Sequence, residues 1–142
     1  MILVDANLLV YAYHSALPEH AASRRWLDDQ LATGTPVALP WESLNAFVRL
    51  VSNPRIFSAP SDLADAWAQV KRWLAEANVW VPVATPQHAA IAAELYRTNG
   101  LSAVDVPDVH LAALAISHGV RLATHDHGFS RFEGLRWFDP LT

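Results

Sequence analysis

Four carboxylates of this chain stand where a predicted strand ends or a predicted helix begins. Asp5 follows the apolar run MILV, and Asp126 lies just beyond the run RLAT. Glu42 and Asp108 each fall within the first turn of a predicted helix that contains an early proline. In open α/β sheets, ligands bind at the carboxyl ends of the strands. Carboxylates gathered there would repel one another, and a hard divalent cation relieves such repulsion. The pattern therefore predicts a metal-dependent site that cleaves phosphodiester bonds.

Each of these acids also has a purely structural interpretation. Asp5 could cap the helix that follows it, at about 1 kcal/mol, and Asp126 could form a turn in the loop HDHGF. Glu42 and Asp108 would interact favourably with a helix dipole, at roughly 0.3–1 kcal/mol each. For either of these two alone, the structural interpretation is the more common one. The catalytic interpretation gains weight because all the acids map to the same edge of one predicted sheet.

The elements that carry the acids alternate between strands and helices. Short apolar runs bounded by turn residues predict strands, and apolar residues at helical spacing predict helices. The predicted strands cover residues 1–4, 36–39, 79–83, 121–124 and 135–138, and the predicted helices cover 7–14, 18–32, 40–51, 61–77, 86–99 and 106–118. This alternation predicts a single α/β domain spanning residues 1–142, with a central, mostly parallel twisted sheet of four to five strands and helices on both faces.

Composition excludes several classes of protein. The chain has 142 residues, of which 52% are hydrophobic, so it is long and apolar enough to bury a core. It contains no cysteine, which excludes disulfides, thiol catalysis and cysteine-ligated metals. A net charge of −4 does not indicate tight nonspecific binding to nucleic acid. No apolar run is long enough to cross a bilayer and no signal-peptide pattern is present, so we expect a cytoplasmic protein.

The histidines give weaker signals. His125 and His127 flank Asp126, which raises the question of a zinc site. Side chains at alternating positions of a tight loop are expected to point apart, and no third ligand pattern accompanies them, so zinc is the less favoured interpretation. His110 falls on the apolar helix predicted at 106–118, where we expect a hydrogen-bonded core residue.

Four segments of the chain resemble the PIN domain, in particular the VapC toxins of bacterial VapBC toxin–antitoxin pairs. They are VDANLLVYA, PWESLNAFVRL, VPDVHLAALAISHG and LATHDHGFSRFEGLRWFDPL, and the match is weakest between Ser52 and Gln87. The resemblance implies an endoribonuclease that needs Mg²⁺ or Mn²⁺ and inhibits translation and growth. It also implies an RNA substrate, a homodimer and neutralisation by a cognate VapB-like antitoxin.

The resemblance also implies roles for particular residues. The family's catalytic quartet falls on Asp5, Glu42, Asp108 and Asp126, and of these Asp5, Asp108 and Asp126 would bind the metal. Asn7 and Thr124 match polar positions that assist such a site. Lysine is nearly absent, so arginines must contact the phosphates. The candidates, chosen for their expected nearness to the carboxyl edge of the sheet, are Arg97, Arg121 and Arg131.

Other classes of function stay open at this point. One is a catalytically silent PIN-like module that only binds a partner. A phosphatase of the haloacid-dehalogenase type is less favoured, because Asn7 stands where that chemistry needs a second aspartate. A phosphoacceptor domain of the receiver type would need a lysine after a late strand, and the lone lysine, Lys71, lies elsewhere. The aromatic helices between Trp41 and Ala77 are the predicted surface for an antitoxin.

Overall fold

The computed structural model describes all 142 residues and contains one five-stranded sheet. The strands are β1 (Ile2–Val4), β2 (Val37–Ala38), β3 (Val79–Trp80), β4 (Arg121–Ala123) and β5 (Trp137–Phe138). Their order across the sheet is β3-β2-β1-β4-β5, and every neighbouring pair is parallel. The carboxyl ends of all strands therefore lie along one edge.

Six α-helices connect the strands and cover both faces of the sheet. They are α1 (Ala6–Tyr13), α2 (His20–Ala32), α3 (Trp41–Val51), α4 (Leu63–Leu74), α5 (His88–Leu95) and α6 (Val106–His118). Two 3₁₀ turns lie at Ala103–Asp105 and His127–Arg131. The predicted α/β architecture, with a parallel sheet between helices, is confirmed. No helix is both long and apolar enough to cross a membrane.

Alternation along β1 divides the core between the two faces. Ile2 and Val4 pack in a cluster with α1, α2, α3 and α4, whereas Leu3 packs in a second cluster with α5 and α6. A strand covered on both faces has no polar side, because its neighbouring side chains point into different hydrophobic layers. This is why the run before Asp5 is apolar at consecutive positions.

Several elements are shorter than predicted. Helix α4 begins at Leu63 and ends at Leu74, not at 61 and 77. Helix α5 ends at Leu95, because the next amides bond three residues back, that of Arg97 to the carbonyl of Glu94 and that of Thr98 to the carbonyl of Leu95. Such turns tighten the chain at a helix end, and the apolar pattern does not report them.

Two hydrogen bonds bring the acid-bearing ends of the elements together. The amide of Asp5 donates to the carbonyl of Ala123 at 3.0 Å, so pairing with β4 extends one residue beyond β1. The buried hydroxyl of Ser43 donates to the carbonyl of Val4 at 2.8 Å, which fixes the first turn of α3 against the same end of β1. The carboxyl edge of the sheet is therefore tied directly to the start of α3.

Candidate active site

Thr124 links two of the predicted acids. Its side chain is fully buried, and its hydroxyl donates to Oδ2 of Asp5 at 2.7 Å. The Thr124 hydroxyl oxygen, Oγ1, also accepts from the amide of Asp126 at 3.0 Å and from Nδ2 of Asn7 at 3.4 Å. One hydroxyl therefore joins the end of β1 to the end of β4.

Asp5 and Asp126 also cap the short helices that follow them. Oδ1 of Asp5 accepts from the amide of Ala6 at 2.8 Å, and Oδ1 of Asp126 accepts from the amide of Gly128 at 2.9 Å. A Cβ atom at position 128 would lie only 3.0 Å from that oxygen, so a glycine allows the close approach. The structural and the catalytic interpretations of these acids are therefore compatible, because capping uses only Oδ1 of each. Oδ2 of Asp126 has no hydrogen-bond partner within the protein, and Oδ2 of Asp5, which accepts from Thr124, keeps a second lone pair.

Asp108 lies in the first turn of α6, half-buried beside Arg131. The guanidinium contacts Oδ2 of Asp108 at 3.1 Å and Oδ1 of Asp105 at 3.0 Å. Asp105 also forms a capping box with Ser102. Asp105 therefore has a structural role, while Oδ1 of Asp108 has no hydrogen-bond partner within the protein.

Glu42 lies in the first turn of α3, where its carboxylate contacts Nε2 of His110 on α6. Both side chains are partly exposed, at 41% for Glu42 and 35% for His110. His110 is therefore not the core residue expected from the apolar pattern. It contacts the acid Glu42 from a position two residues beyond Asp108 in α6.

The acids meet at one cleft of about 150 Å³ between β1, α3 and α6. Asp5, Glu42 and Asp108 line it, together with Ser43. Asp126 is not among the lining residues, but its charge raises the pKa of both Asp5 and Asp108. The structure thus brings together the four carboxylates predicted from the sequence. Three of them line one cleft, and the fourth, Asp126, lies near enough to act on two of these electrostatically.

Burial and mutual repulsion make it unfavourable for all the carboxylates of the cleft to be ionised at once. Burial raises the pKa of Asp5 from 3.8 to about 6, in spite of the hydrogen bonds from Thr124 and the Ala6 amide. Neighbouring negative charges contribute to the same rise. Burial and the charge of Asp126 likewise raise the pKa of Asp108, although Arg131 opposes this. A cation bound among these groups would remove the repulsion.

The donor set fits a hard divalent ion. It consists of carboxylate oxygens, which Mg²⁺ and Mn²⁺ prefer to nitrogen or sulfur ligands. Beside it, Oδ1 of Asn7 is buried and has no hydrogen-bond partner within the protein. An unpaired buried oxygen is costly unless a cation or water satisfies it. The residues present therefore suit the ion that the sequence predicts.

Comparison with known proteins identifies the family. A family model described as PIN domain matches residues 2–135. Ribonuclease VapC37 of Mycobacterium tuberculosis (strain ATCC 25618 / H37Rv) is 40% identical over 140 residues, covering 99% of this chain and 97% of the relative. Ribonuclease VapC33 of the same strain is 36% identical over 141 residues, covering 99% of each. The crystal structure of VapBC2 from Rickettsia felis bound to a DNA fragment from their promoter has a similar fold, with a TM-score of 0.73, 17% identity and 98% of each chain covered.

The chain belongs to the VapC ribonucleases of the PIN-domain family. The resemblance that the sequence motifs indicated is therefore confirmed over nearly the whole length of the protein. The acidic cleft described above lies within the matched region, since all of its residues fall between positions 2 and 135.

The three candidate arginines of this VapC-family protein lie in different places. Arg131 contacts the acid cluster through Asp108. Arg97 is exposed, pairs with Glu94 at 3.6 Å, and lines a polar groove of about 690 Å³ to which Arg131 also contributes. The expected nearness of Arg121 to the carboxyl edge is wrong. Arg121 is the first residue of β4, so its backbone lies at the amino end of the strand, and its guanidinium packs over the Phe138 ring at 4.1 Å.

The histidines beside Asp126 do not point apart, contrary to expectation. Nδ1 of His125 and Nε2 of His127 both lie 2.7 Å from Oδ2 of Asp139. Sequence spacing does not indicate this contact, because Asp139 comes after β5 and follows the histidines by more than ten residues. Burial alone would raise the pKa of Asp139, but the hydrogen bonds from His127, the Leu141 amide and His125 outweigh it and hold that pKa below 3.8.

Two further residues of the VapC-type cleft escape sequence reasoning. Ser43 anchors α3 through a main-chain carbonyl, and His110 contacts Glu42 across the cleft. Serine and histidine on apolar helices are common for structural reasons. The sequence holds no signal for His110 either, since it follows Asp108 by two positions, and helical side chains at that spacing do not face each other.

Proposed function

We propose that this VapC-family ribonuclease toxin is an endoribonuclease whose cutting depends on Mg²⁺ or Mn²⁺ in the acidic cleft. Asp5, Asp108 and Asp126 would hold the ion, and Glu42 would complete the catalytic set. The observation that supports this most strongly is the half-buried Asp5 in the cleft, whose pKa rises to about 6 beside Asp108 and Asp126. Structural carboxylates are normally shifted the other way, by pairing with cations.

When bound, the ion would make a water molecule more acidic and stabilise negative charge on the phosphate oxygens. The chain's own residues would orient the reaction. Thr124 holds Oδ2 of Asp5 in place, and Asn7 supports Thr124. Glu42 stands on the opposite wall, where His110 holds its carboxylate. In that position Glu42 would orient the attacking water or help to hold a second ion.

The arginines suggest how RNA would reach the cleft. Arg131 belongs both to the acid cluster and to the groove that contains Arg97. Glu94 and Glu133 also line this groove, so its two arginines would act as local phosphate contacts along the path of a single strand toward the scissile bond. Arg97 and Arg131 are therefore the proposed phosphate contacts. Arg121 is the weakest of the three candidates, because its guanidinium is engaged with Phe138.

The test is RNA cleavage by purified protein, with and without metal. We expect EDTA to stop cleavage, added Mg²⁺ or Mn²⁺ to restore it, and the Asp5→Asn variant to lose at least about 100-fold in rate, by analogy with other electrostatic catalytic groups. Asp62→Asn is the matched control, since Asp62 precedes an exposed part of α4 and lies outside the cleft.

Undiminished cleavage in EDTA, or by the Asp5→Asn variant, would contradict the proposed site. If the wild-type protein cleaves no RNA with either ion, the silent PIN-like binding module becomes the better interpretation. Mapping the cleaved ends after controlled expression, with Asp5→Asn beside it, would show which RNA is cut.

A VapB-like antitoxin is the proposed protein partner. Trp73 is buried, but Trp67 is 42% exposed and stacks on Trp41, which is 40% exposed. Nearby, an open apolar groove of about 340 Å³ passes along Tyr11 and Ile56. Its other lining residues are Asn7, Val10, Leu17, Leu50 and Phe57. Exposed aromatic and apolar surface of this kind typically binds a partner, and the Rickettsia felis structure contains a VapBC pair.

The antitoxin proposal is tested by co-purification with a small protein encoded beside the toxin gene. We expect Ile56→Asp to weaken the complex by at least about tenfold, since it places a charge in an apolar interface. Val83→Asp is the control, because Val83 is also exposed, at 66%, and lies outside the groove. Equal affinity of both variants would exclude this groove as the binding surface.

Homodimerisation remains a prediction from the family resemblance, and a cytoplasmic location remains a prediction from the sequence. Val104 is 83% exposed and Val106 46% exposed beside the start of α6, and they offer apolar surface for a second copy. Light scattering of the wild type and of Val104→Asp would test this surface. A monomer at all concentrations would contradict the predicted dimer.

A further inference from the structure

A second cluster of metal-ligand side chains lies outside the acidic cleft, between the loop that carries Asp126 and the chain that follows β5. It contains His125, His127 and Asp139, whose ligand atoms all lie within 4.8 Å of one another. We propose that these three residues form a second metal site, which binds a first-row transition ion of the Zn²⁺ type. The site is independent of the RNA-cleaving function proposed above.

The geometry requires little change to admit an ion. Oδ2 of Asp139 lies 2.7 Å from Nδ1 of His125 and 2.7 Å from Nε2 of His127. Around tetrahedral zinc, with ligand bonds of about 2.0–2.1 Å, neighbouring ligand atoms stand about 3.4 Å apart. Each imidazole would therefore move outward by less than about 1 Å. His127 is 61% exposed and gives the ion a route from solvent.

The three side chains are held in advance by their surroundings. Asp139 is only 3% exposed, and its Oδ1 accepts from the amide of Leu141 at 2.9 Å, which turns Oδ2 toward the histidines. The His125 ring packs edge-on against Tyr11 at 5.8 Å, and the His127 ring packs on Trp137 at 5.4 Å. A carboxylate that already has both imidazoles beside one oxygen needs little ordering when an ion binds.

The donor set differs in kind from that of the acidic cleft. Two imidazole nitrogens and one carboxylate oxygen, with a further position open to water, are typical ligands of zinc. The cleft offers oxygen donors, which suit Mg²⁺ or Mn²⁺. The two sites would therefore take different ions. They are adjacent in the chain, because Asp126, a proposed ligand of the first site, lies between His125 and His127 of the second.

Binding would exchange hydrogen bonds for coordinate bonds. In the absence of metal, each histidine donates a hydrogen bond to Oδ2 of Asp139 when that carboxylate is ionised. Coordination needs those same nitrogens unprotonated, so in each neutral ring the proton moves to the other nitrogen. The ion would then tie the loop at His125–His127 to the chain that follows β5, and so restrain Asp126.

The test uses untagged full-length protein in a large excess of Mg²⁺, so that the acidic cleft is occupied. We expect one Co²⁺ per chain to give the intense visible bands of four- or five-coordinate cobalt, and Zn²⁺ to abolish them. The exposed His127 can be changed without disturbing the core. In calorimetry, His127→Gln should weaken Zn²⁺ binding by more than the roughly 10- to 100-fold that follows loss of a residue hydrogen-bonded to a metal ligand. The larger loss is expected because His127 would bind the ion directly.

Two control variants separate this site from other histidines. His110→Gln reports binding at the acidic cleft, where His110 contacts Glu42, and His118→Gln reports binding at a remote helix end. Both should bind Zn²⁺ as the wild type does. Zn²⁺ should also raise the melting temperature of the wild type but not of His127→Gln. Absence of Co²⁺ bands, equal affinity in His127→Gln, or loss of binding in His110→Gln would each overturn the proposal.

Discussion

The hydroxyl of Thr124 shows how a single residue can organise a site made of repelling charges. It is buried, donates to Asp5 and accepts from the amide of Asp126, so it holds the two strand-end acids in a fixed relation. Its hydrogen bond stabilises the ionised form of Asp5, but burial has the larger effect on the pKa of that group. The metal-free protein therefore carries an acid that is easier to protonate when folded than when unfolded.

Asp5→Asn should make the metal-free protein more stable at neutral pH. The folded pKa of Asp5 is about 6 and its ordinary value is 3.8. Between these values the folded state binds more protons than the unfolded state, so wild-type stability falls as pH rises through this window. The gain from Asn should be small below pH 3.8 and reach up to about 3 kcal/mol above pH 6.

Urea unfolding in EDTA at a series of pH values measures this difference. Adding Mg²⁺ should stabilise the wild type and leave the variant almost unchanged, because the variant lacks a metal ligand. A stability difference that does not vary with pH would show that Asp5 is not under electrostatic strain.

Sequence patterns located the acids, and the family resemblance pointed to Asn7 and Thr124, but neither revealed the contacts of the histidines. Asp5 and Asp126 follow apolar runs, and a parallel sheet brings the ends of such runs to one edge. The contacts of Glu42 with His110 and of the loop histidines with Asp139 join residues distant in the chain, through side-chain orientation. No spacing rule encodes contacts of that kind, so a single sequence does not reveal them.

At the scale of elements, the first turn of α3 is hydrogen-bonded to the sheet by one buried side chain. Ser43 donates to the carbonyl of Val4, at the point where β1 ends and Asp5 follows. Glu42 is the preceding residue, so its position on the wall of the cleft depends on this contact. An anchor at the first turn matters more than one further along, because it sets the position of Glu42, the proposed catalytic carboxylate.

Ser43→Ala should lower the free energy of unfolding by about 1–3 kcal/mol, because it leaves a buried carbonyl unsatisfied. It should also reduce RNA cleavage, since the first turn of α3 is no longer held. Ser52→Ala is the matched control, because its hydroxyl donates within the same helix, to the carbonyl of Val48 at 2.7 Å. Urea unfolding and cleavage assays give both quantities. If the two variants behave alike, the anchoring role of Ser43 is refuted.

Element boundaries were predicted well where strong local signals exist. Helix α6 has the predicted bounds, since Pro107 and Asp108 mark its start and Gly119, with a φ of 66°, ends it. Helix α2 begins at His20 and not at Pro18, because Pro18 lies within a turn in which the His20 amide bonds to Leu17. Proline suits both positions, so the residue alone does not distinguish them.

Across the whole molecule, charge is distributed unevenly. The net charge is −4, and part of the negative charge is concentrated in the cleft. The adjoining groove contains Arg97 and Arg131. A polyanion approaching this surface would be repelled by the metal-free cleft and attracted along the arginines. Binding of RNA is therefore expected to need both the ion and the groove.

Arg97→Gln should weaken RNA binding and flatten its dependence on salt. Loss of one phosphate contact with a single strand lowers the slope of log affinity against log salt by roughly 0.7. Arg24→Gln is the matched control, because Arg24 is also exposed and pairs with an acid in its own helix, Asp28. Binding is measured with Mg²⁺ present in a Glu42→Gln background, which retains the three proposed metal ligands and keeps the RNA intact. Identical slopes for both variants would exclude Arg97 from the RNA path.

The central place of β1 has a consequence for synthesis of the protein. Its Asp5 depends on Thr124, which lies 119 positions later in the sequence. A nascent chain therefore displays Asp5 long before its partner strand β4 has left the ribosome. The contact between Asp5 and Thr124 therefore forms only when translation of the chain is nearly finished, so the acidic cleft is among the last parts of the fold to be completed.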